Sequence, residues 1–153
     1  MMTGDDNSVF LDTNVLVYAS IPESPLHLVA LNAIQVREQA GIELWVSRQV
    51  LPEYLATLTR PQVFTEPIPI ATVIAEVRFF LNRFRVAEDN PQVTERLLTL
   101  MEQIPIGGRQ VHDGNIVATM LVYGISRLLT NNVDDFNRFA EFITVLPLVQ
   151  SMI

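Results

Sequence analysis

Acidic residues recur at four separated places in this sequence, each beside the end of an apolar run or the start of a helical stretch. Asp12 closes the run Val9-Phe10-Leu11, Glu53 lies shortly after the apolar segment Glu43–Val46, Asp113 opens a helical pattern, and Asp134 and Asp135 follow Ser126–Thr130. Thr13 and Asn14 come directly after the first of these acids, and Asn132 just before the last pair. Carboxylates drawn within a few ångströms of each other cannot all stay ionised unless something offsets the repulsion. A hard divalent ion does so, and an oxygen-only donor set favours Mg²⁺, with Mn²⁺ as the alternative. A cation held this way acidifies a bound water and clamps a phosphate oxygen, so phosphodiester hydrolysis is the reaction such a group serves best.

Taken singly, each residue has a plainer role. An Asp after a strand is commonly a helix N-cap, which fits Asp12 and Asp113. Glu53 in a first helical turn complements the helix dipole. Asp134 and Asp135 read as solvated turn, and His112, beside a helix start, as structural or surface; His27 has no supporting context. Cysteine is absent, which excludes disulfides, zinc–thiolate sites and thiol nucleophiles. No Ser/His/Asp triad, glycine-rich phosphate loop or metal-binding His cluster is present.

The elements that must position these residues follow from local signals. Val9–Leu11 reads as a buried parallel strand with a helix directly behind it through Val15–Val17. Ser24 as N-cap, Pro25 as first helical residue and Gly41 as terminator bracket a helix whose apolar face is Leu26, Val29, Ala30, Ala33 and Ile34. Glu43–Val46 is a second strand, and a helix carrying Tyr54, Leu55 and Leu58 follows, starting near Pro52 because proline is awkward in a helix interior. Arg60–Pro69 is a proline-rich loop. Ile70, Val73, Ile74, Val77, Leu81 and Phe84 outline a long amphipathic helix, and Arg85–Ala87 a short strand. Asn90-Pro91 starts the next helix, with Val93, Leu97, Leu100, Met101 and Ile104 on its inner face. Gly107-Gly108 precedes a helix from about Val111 to Tyr123, closed by Gly124. Ser126–Thr130 is a strand, Asn131–Asp135 a turn and Ile143–Leu146 a last strand. Strands alternating with helices imply a three-layer α/β/α sandwich on a short, mostly parallel sheet, with ligands bound beyond the carboxyl ends of its strands.

Composition limits the rest. The chain has 153 residues, 49% hydrophobic and 18% charged, which suits a packed domain. A flexible N-terminus over residues 1–7 and a single domain over 8–153 are expected. Met1–Ser8 is polar and acidic, without the basic and apolar stretches of a secretory signal, and no apolar run is long enough for a membrane span; a cytoplasmic protein is expected. The net charge of -7 is wrong for gripping nucleic acid by electrostatics alone. All ten basic residues are arginine, whose fork suits phosphate. Binding RNA would therefore require metal at the acidic centre and arginines along a local groove.

The run Val9-Phe10-Leu11-Asp12-Thr13-Asn14-Val15-Leu16-Val17-Tyr18 resembles the opening motif of PIN domains. Ser47–Tyr54, with Glu53 as its acid, is similar to their second motif, His112–Thr119 to the third and Leu128–Phe136 to the fourth. The motifs occur in order from about Ser8 to Leu146 and resemble the ribonuclease toxins of the VapC type. The resemblance implies a PIN-like fold and a metal-binding acidic centre of Asp12, Glu53 and Asp113, with Asp12 and Asp113 as direct ligands. Thr13 or Asn14 and Thr130 would orient carboxylates or water. Many PIN domains have Asp two residues after the threonine of the fourth motif; here Asn132 stands there, so either Asn132 holds a metal-bound water or Asp135 supplies the fourth carboxylate.

The resemblance also implies an RNA substrate, a small antitoxin partner and a homodimer. The helix Ser24–Ala40 and the loop Arg60–Pro69 are candidate contact surfaces. Arg48, Arg60 and Arg109 flank the motifs and could meet phosphates. A haloacid-dehalogenase-like phosphatase also begins with an apolar strand ending in Asp, but it needs Asp at the position of Asn14 and a lysine, and this chain has neither. The non-enzymatic alternative is a degenerate PIN scaffold that binds RNA or protein without cutting, a reading favoured by Asn132 and the negative charge.

Overall fold

Val9, Phe10 and Leu11 are completely buried, as expected of a strand covered on both faces, where each large side chain contributes about 1.5–3 kcal/mol by leaving water. They belong to β1 (Ser8–Leu11), the centre of a five-stranded sheet in a computed structural model that describes residues 7–61 and 67–149. The expected flexible start therefore falls outside the described residues except at Asn7, as do the middle of the 60–69 loop and the chain end from 150 onward.

Along the chain, β1 is followed by α1 (Thr13–Ser20), α2 (His27–Gln39), β2 (Glu43–Ser47), α3 (Val50–Thr59), α4 (Ile70–Arg83) and β3 (Arg85–Ala87). Then come α5 (Pro91–Gln103), α6 (Gln110–Val122), β4 (Arg127–Thr130), α7 (Val133–Phe136), a 3₁₀ turn at Asn137–Phe139 and β5 (Thr144–Pro147). The strand order is β3-β2-β1-β4-β5. Every pairing is parallel, with Phe10 opposite Trp45 on one side and Leu128 on the other. The sheet is thus wholly parallel.

The chain steps outward from β1 to β2 and β3, then returns past β1 to β4. Right-handed crossovers then put α1–α4 on one face and α5–α7 on the other. The carboxyl ends of β1 and β4 flank the point where the winding reverses, the crevice in which open α/β sheets bind ligands. Among the described residues, no helix is long and apolar enough to cross a membrane.

Several local expectations are met. Asn90 caps α5 through the Val93 N–H at 3.1 Å, with Pro91 in the first turn. Gly41 (φ 80°) and Gly124 (φ 72°) follow α2 and α6 in the left-handed conformation that ends a helix. Others are corrected. Ser24 and Pro25 sit in a turn, where Ser24 Oγ accepts from the Leu26 N–H at 3.1 Å; α2 begins only at His27. Its expected apolar face is split, since Ala30 and Ile34 are buried whereas Val29 is 38% exposed. α3 begins two residues before Pro52, because a first-turn residue needs no amide hydrogen for the helix. α4 buries Val73 and Phe80 and leaves Ile70, Ile74 and Leu81 exposed, so its inner face is rotated from the expected one. Val133–Asp135, expected within a turn, instead belong to the short helix Val133–Phe136, held down by buried Phe136 and Phe139.

Candidate active site

Asp12 is the first residue beyond β1 and the N-cap of α1, so its plainer role and its candidate role coincide. Its backbone N–H continues the sheet by donating to the Leu129 carbonyl at 3.1 Å. One carboxylate oxygen accepts from the Thr13 N–H at 2.8 Å; the other accepts from Thr130 Oγ1 at 2.7 Å and Asn14 Nδ2 at 3.2 Å. The side chain is thereby fixed from three directions. Asn14 is fixed in turn, donating to Thr130 Oγ1 at 3.3 Å and accepting from the Asn131 N–H at 3.1 Å.

Glu53 arrives from α3. Its neighbour Tyr54 is fully buried, edge-on to Phe80 with centroids 5.1 Å apart, and hydrogen-bonded to Ser20 of α1 at 2.7 Å. That packing locks α3 against α1 and α4 and keeps Glu53 at the cleft. Thr13 Oγ1 donates to one Glu53 oxygen at 2.8 Å and Gln49 Nε2 to the other at 3.1 Å. Asp113 comes from the first turn of α6, on the other side of the sheet. Gly114 beside it allows α6 to lie close on its neighbours: a Cβ there would meet Ile106 Cδ1 at 2.8 Å and Leu97 Cδ1 at 3.2 Å. A side chain at this position would push against the Ile106 and Leu97 methyl groups that seat the first turn of α6.

Asp12, Glu53 and Asp113, far apart in sequence, line one cleft of about 600 Å³, with Thr13, Asn14 and Asn132 also in its wall. A second cleft of about 700 Å³ shares Glu53, Asp113 and Arg109 with the first and adds Asp135 and Arg138. Burial pushes the Asp12 carboxyl up to about 6, against the pull of the Thr130 and Thr13 hydrogen bonds, and the charges of Glu53 and Asp135 push the same way. Burial also raises Asp113 to about 6, reinforced by Asp135, Asp12 and Glu53 and opposed by Arg138. The four acids therefore share one electrostatic neighbourhood. Asp135 acts on both Asp12 and Asp113, whereas Asn132 reaches Thr130 Oγ1 through its backbone N–H at 2.9 Å.

Other candidates divide. Arg60 and Arg109 line the first cleft, and Arg60 also donates to Thr57 Oγ1 at 3.2 Å. Arg48 does not join them; it forks onto Glu88 at 2.9 and 3.0 Å. Asp134 is exposed and accepts from Asn137, and His27 Nδ1 lies 3.0 Å from the Tyr18 carbonyl, a structural contact. His112 lines the second cleft and offers its backbone carbonyl to Gln49 at 2.9 Å. Gln49, Asn115 and Arg138 escaped the sequence reading; the four-residue spacing of Gln49 and Glu53 and the nearness of Asn115 to Asp113 were the available signals.

The donor set suits a hard divalent cation, being all oxygen and rich in carboxylates of raised pKa. Among the described residues, no three His, Asp or Glu side chains already form a ligand cluster. Asp12 and Asp113 line the cleft from opposite sides of the sheet, while Glu53 is tied back by Thr13 and Gln49.

A parallel sheet that gathers carboxylates at its reversal point defines an α/β protein with an acidic, oxygen-donor cleft. The chain belongs to the PIN domain family, whose model matches residues 9–142. It is similar in structure to VapBC2 from Rickettsia felis bound to a promoter DNA fragment, at 20% identity and a TM-score of 0.66, covering 92% of this chain and 98% of that one. It is also similar to Mycobacterium tuberculosis VapC20, a sarcin-ricin loop cleaving toxin, at 17% identity and a TM-score of 0.64, covering 91% and 99%. DNA-bound VapBC from Salmonella typhimurium gives 15% identity and a TM-score of 0.66, covering 93% and 98%. At these identities the likeness is one of fold. No curated protein matches the chain.

Proposed function

We propose that this protein is a metal-dependent endoribonuclease, the toxin of a VapBC-type pair, acting as a single domain over residues 8–153. The observation that carries the reading is the meeting of Asp12, Glu53 and Asp113 in one cleft, with Asp135 in the adjoining one. RNA as substrate is supported by VapC20 being a sarcin-ricin loop cleaving toxin, and a small antitoxin as partner by the VapBC complexes among the similar folds. A second copy of the chain and a cytoplasmic setting complete the reading.

In this mechanism Asp12 and Asp113 would hold Mg²⁺ or Mn²⁺, with Asp135 as the candidate for a further carboxylate. When bound, the cation supplies an acidified water and a counter-charge for the scissile phosphate. Glu53, fixed by Thr13 and Gln49, accepts a hydrogen bond from the attacking water and orients it. Thr130 and Asn14 hold the Asp12 carboxylate in place, and Asn132 stands where it can bind solvent. Arg60 and Arg109 meet phosphates on either side of the cleavage point. No side chain of the chain need act as a nucleophile.

The test is cleavage of a fluorophore-labelled RNA with Mg²⁺ or Mn²⁺ and with chelator. Asp12→Asn and Asp113→Asn are expected to lower the metal-dependent rate on the order of 100-fold or more; undiminished cleavage by both would contradict the mechanism. The alternative, a degenerate scaffold that binds RNA or protein without cutting, is favoured by Asn132 in place of Asp and by the lack of a ready three-acid cluster among the described residues. A wild-type chain that neither binds Mn²⁺ nor turns over RNA would select it.

A further inference from the structure

The side-chain amide of Gln49 uses both its N–H donors and one carbonyl lone pair between two helices. Nε2 donates to Glu53 Oε2 at 3.1 Å and to the His112 carbonyl at 2.9 Å, while Oε1 accepts from Asn115 Nδ2 at 2.8 Å. The orientation is determined by the partners: a flipped amide would face two acceptors with its oxygen and one donor with its nitrogen. Gln49 immediately precedes α3, the helix of Glu53, and both its other partners belong to α6, the helix of Asp113. We infer that Gln49, braced by Asn115, is a positioning residue that orients Glu53 and sets the gap between Glu53 and Asp113. The inference rests on the nuclease reading for its kinetic consequence, but not for its geometry.

A glutamate has three side-chain torsions to lose, and nearby negative charges favour its swinging away. Asp12 and Asp113 both feel the Glu53 charge, so the repulsion is present. Thr13 holds one carboxylate oxygen at 2.8 Å, and a single hydrogen bond lets the group pivot. The Gln49 amide adds the second point that stops this pivot. Because the amide is anchored on α6, a displacement of that helix reaches Glu53 as well as Asp113, and the two acids move together.

Two arms test the inference: crystal structures of the metal-free wild type and Gln49→Ala, and RNA cleavage with Mn²⁺ using Asp113→Asn as reference. In the variant Glu53 is expected to leave its wild-type rotamer. Its kcat is expected to fall about 10- to 100-fold, the range seen when partners of a site carboxylate are removed, with KM within about 3-fold. Asn115→Ala, which leaves Gln49 in place, is expected to give a smaller loss. The double variant should be no worse than Gln49→Ala, because both changes act through one carboxylate. An unmoved Glu53 with kcat within about 2-fold of wild type, or losses that multiply in the double variant, would overturn the inference. If the wild-type chain cleaves no RNA, the nuclease reading falls, and the crystallographic arm alone decides: a displaced Glu53 supports the strut and an unmoved one rejects it.

Discussion

At the amino ends of the strands, Arg83 forks onto Glu38 at 2.8 and 2.6 Å and lies over the rings of Phe79 and Phe84, 5.2 and 5.3 Å from their centroids. Arg85 pairs with Glu43 at 3.0 Å in the same region. At the carboxyl ends, Asp12, Glu53, Asp113 and Asp135 gather instead, and two of them have carboxyls raised to about 6. Both ends concentrate charge, but Arg83 and Arg85 are paired with carboxylates within 4 Å, whereas among the described residues none of the four acids has such a salt bridge. Glu38 holds the Arg83 guanidinium above its ordinary pKa, as a satisfied pair should. The acidic end keeps like charges together at a cost met by the packing of the whole fold, as functional sites commonly do. The comparison teaches that charge density alone does not single out a candidate site; like charges gathered without a paired partner at the reversal point do.

The difference should appear most strongly as pH dependence. Asp12 has a folded-state pKa of about 6 against 3.8 for the unfolded group, so the folded chain binds this proton more tightly. The stability this contributes is complete below about pH 3.8 and is lost as pH rises through about 6. It amounts to something on the order of 2–3 kcal/mol. Urea unfolding in chelator should therefore show wild-type stability falling across this window, a smaller fall in Asp12→Asn, and recovery with Mg²⁺ at the alkaline side. Identical pH profiles for wild type and Asp12→Asn would break the comparison. At the paired end the effect is smaller: Arg83→Ala should cost about 1 kcal/mol, a loss of about 2–4 °C in Tm, with cleavage unchanged. At the carboxyl ends of β2 and β3, Arg48→Ala breaks the solvent-exposed pair with Glu88 and should leave urea stability close to that of the wild type. A loss of cleavage in Arg83→Ala would show that the two regions are not separate in function.

Much of this arrangement is local in origin and so readable along the chain. Val9–Leu11 announces a strand buried on both faces, Asn90-Pro91 a helix start, and Gly124 a helix end, because each signal acts within a few residues. The four acids were legible for the same reason: each sits at a strand end or first turn, and the sheet topology carries them together. Tertiary contacts decided the rest. Gln49 and Asn115 look like ordinary surface amides until α3 and α6 approach, 66 residues apart in sequence. Arg48 flanks the second motif but is claimed by Glu88, 40 residues away. Asn131–Asp135 is rich in turn formers, and burial of Phe136 and Phe139 overrides them to make a short helix. The inner face of α4 is not legible locally because apolar residues nearly encircle it, leaving neighbouring helices to choose Val73 and Phe80.

Calorimetric titration of Mn²⁺ into the chelator-stripped protein near neutral pH tests the central claim most directly. The wild-type chain should take up the ion, and Asp12→Asn and Asp113→Asn should each bind it about 10- to 100-fold more weakly. A wild-type chain that takes up no Mn²⁺, or one whose uptake is unchanged in both variants, would contradict the claim that these carboxylates are gathered for a cation.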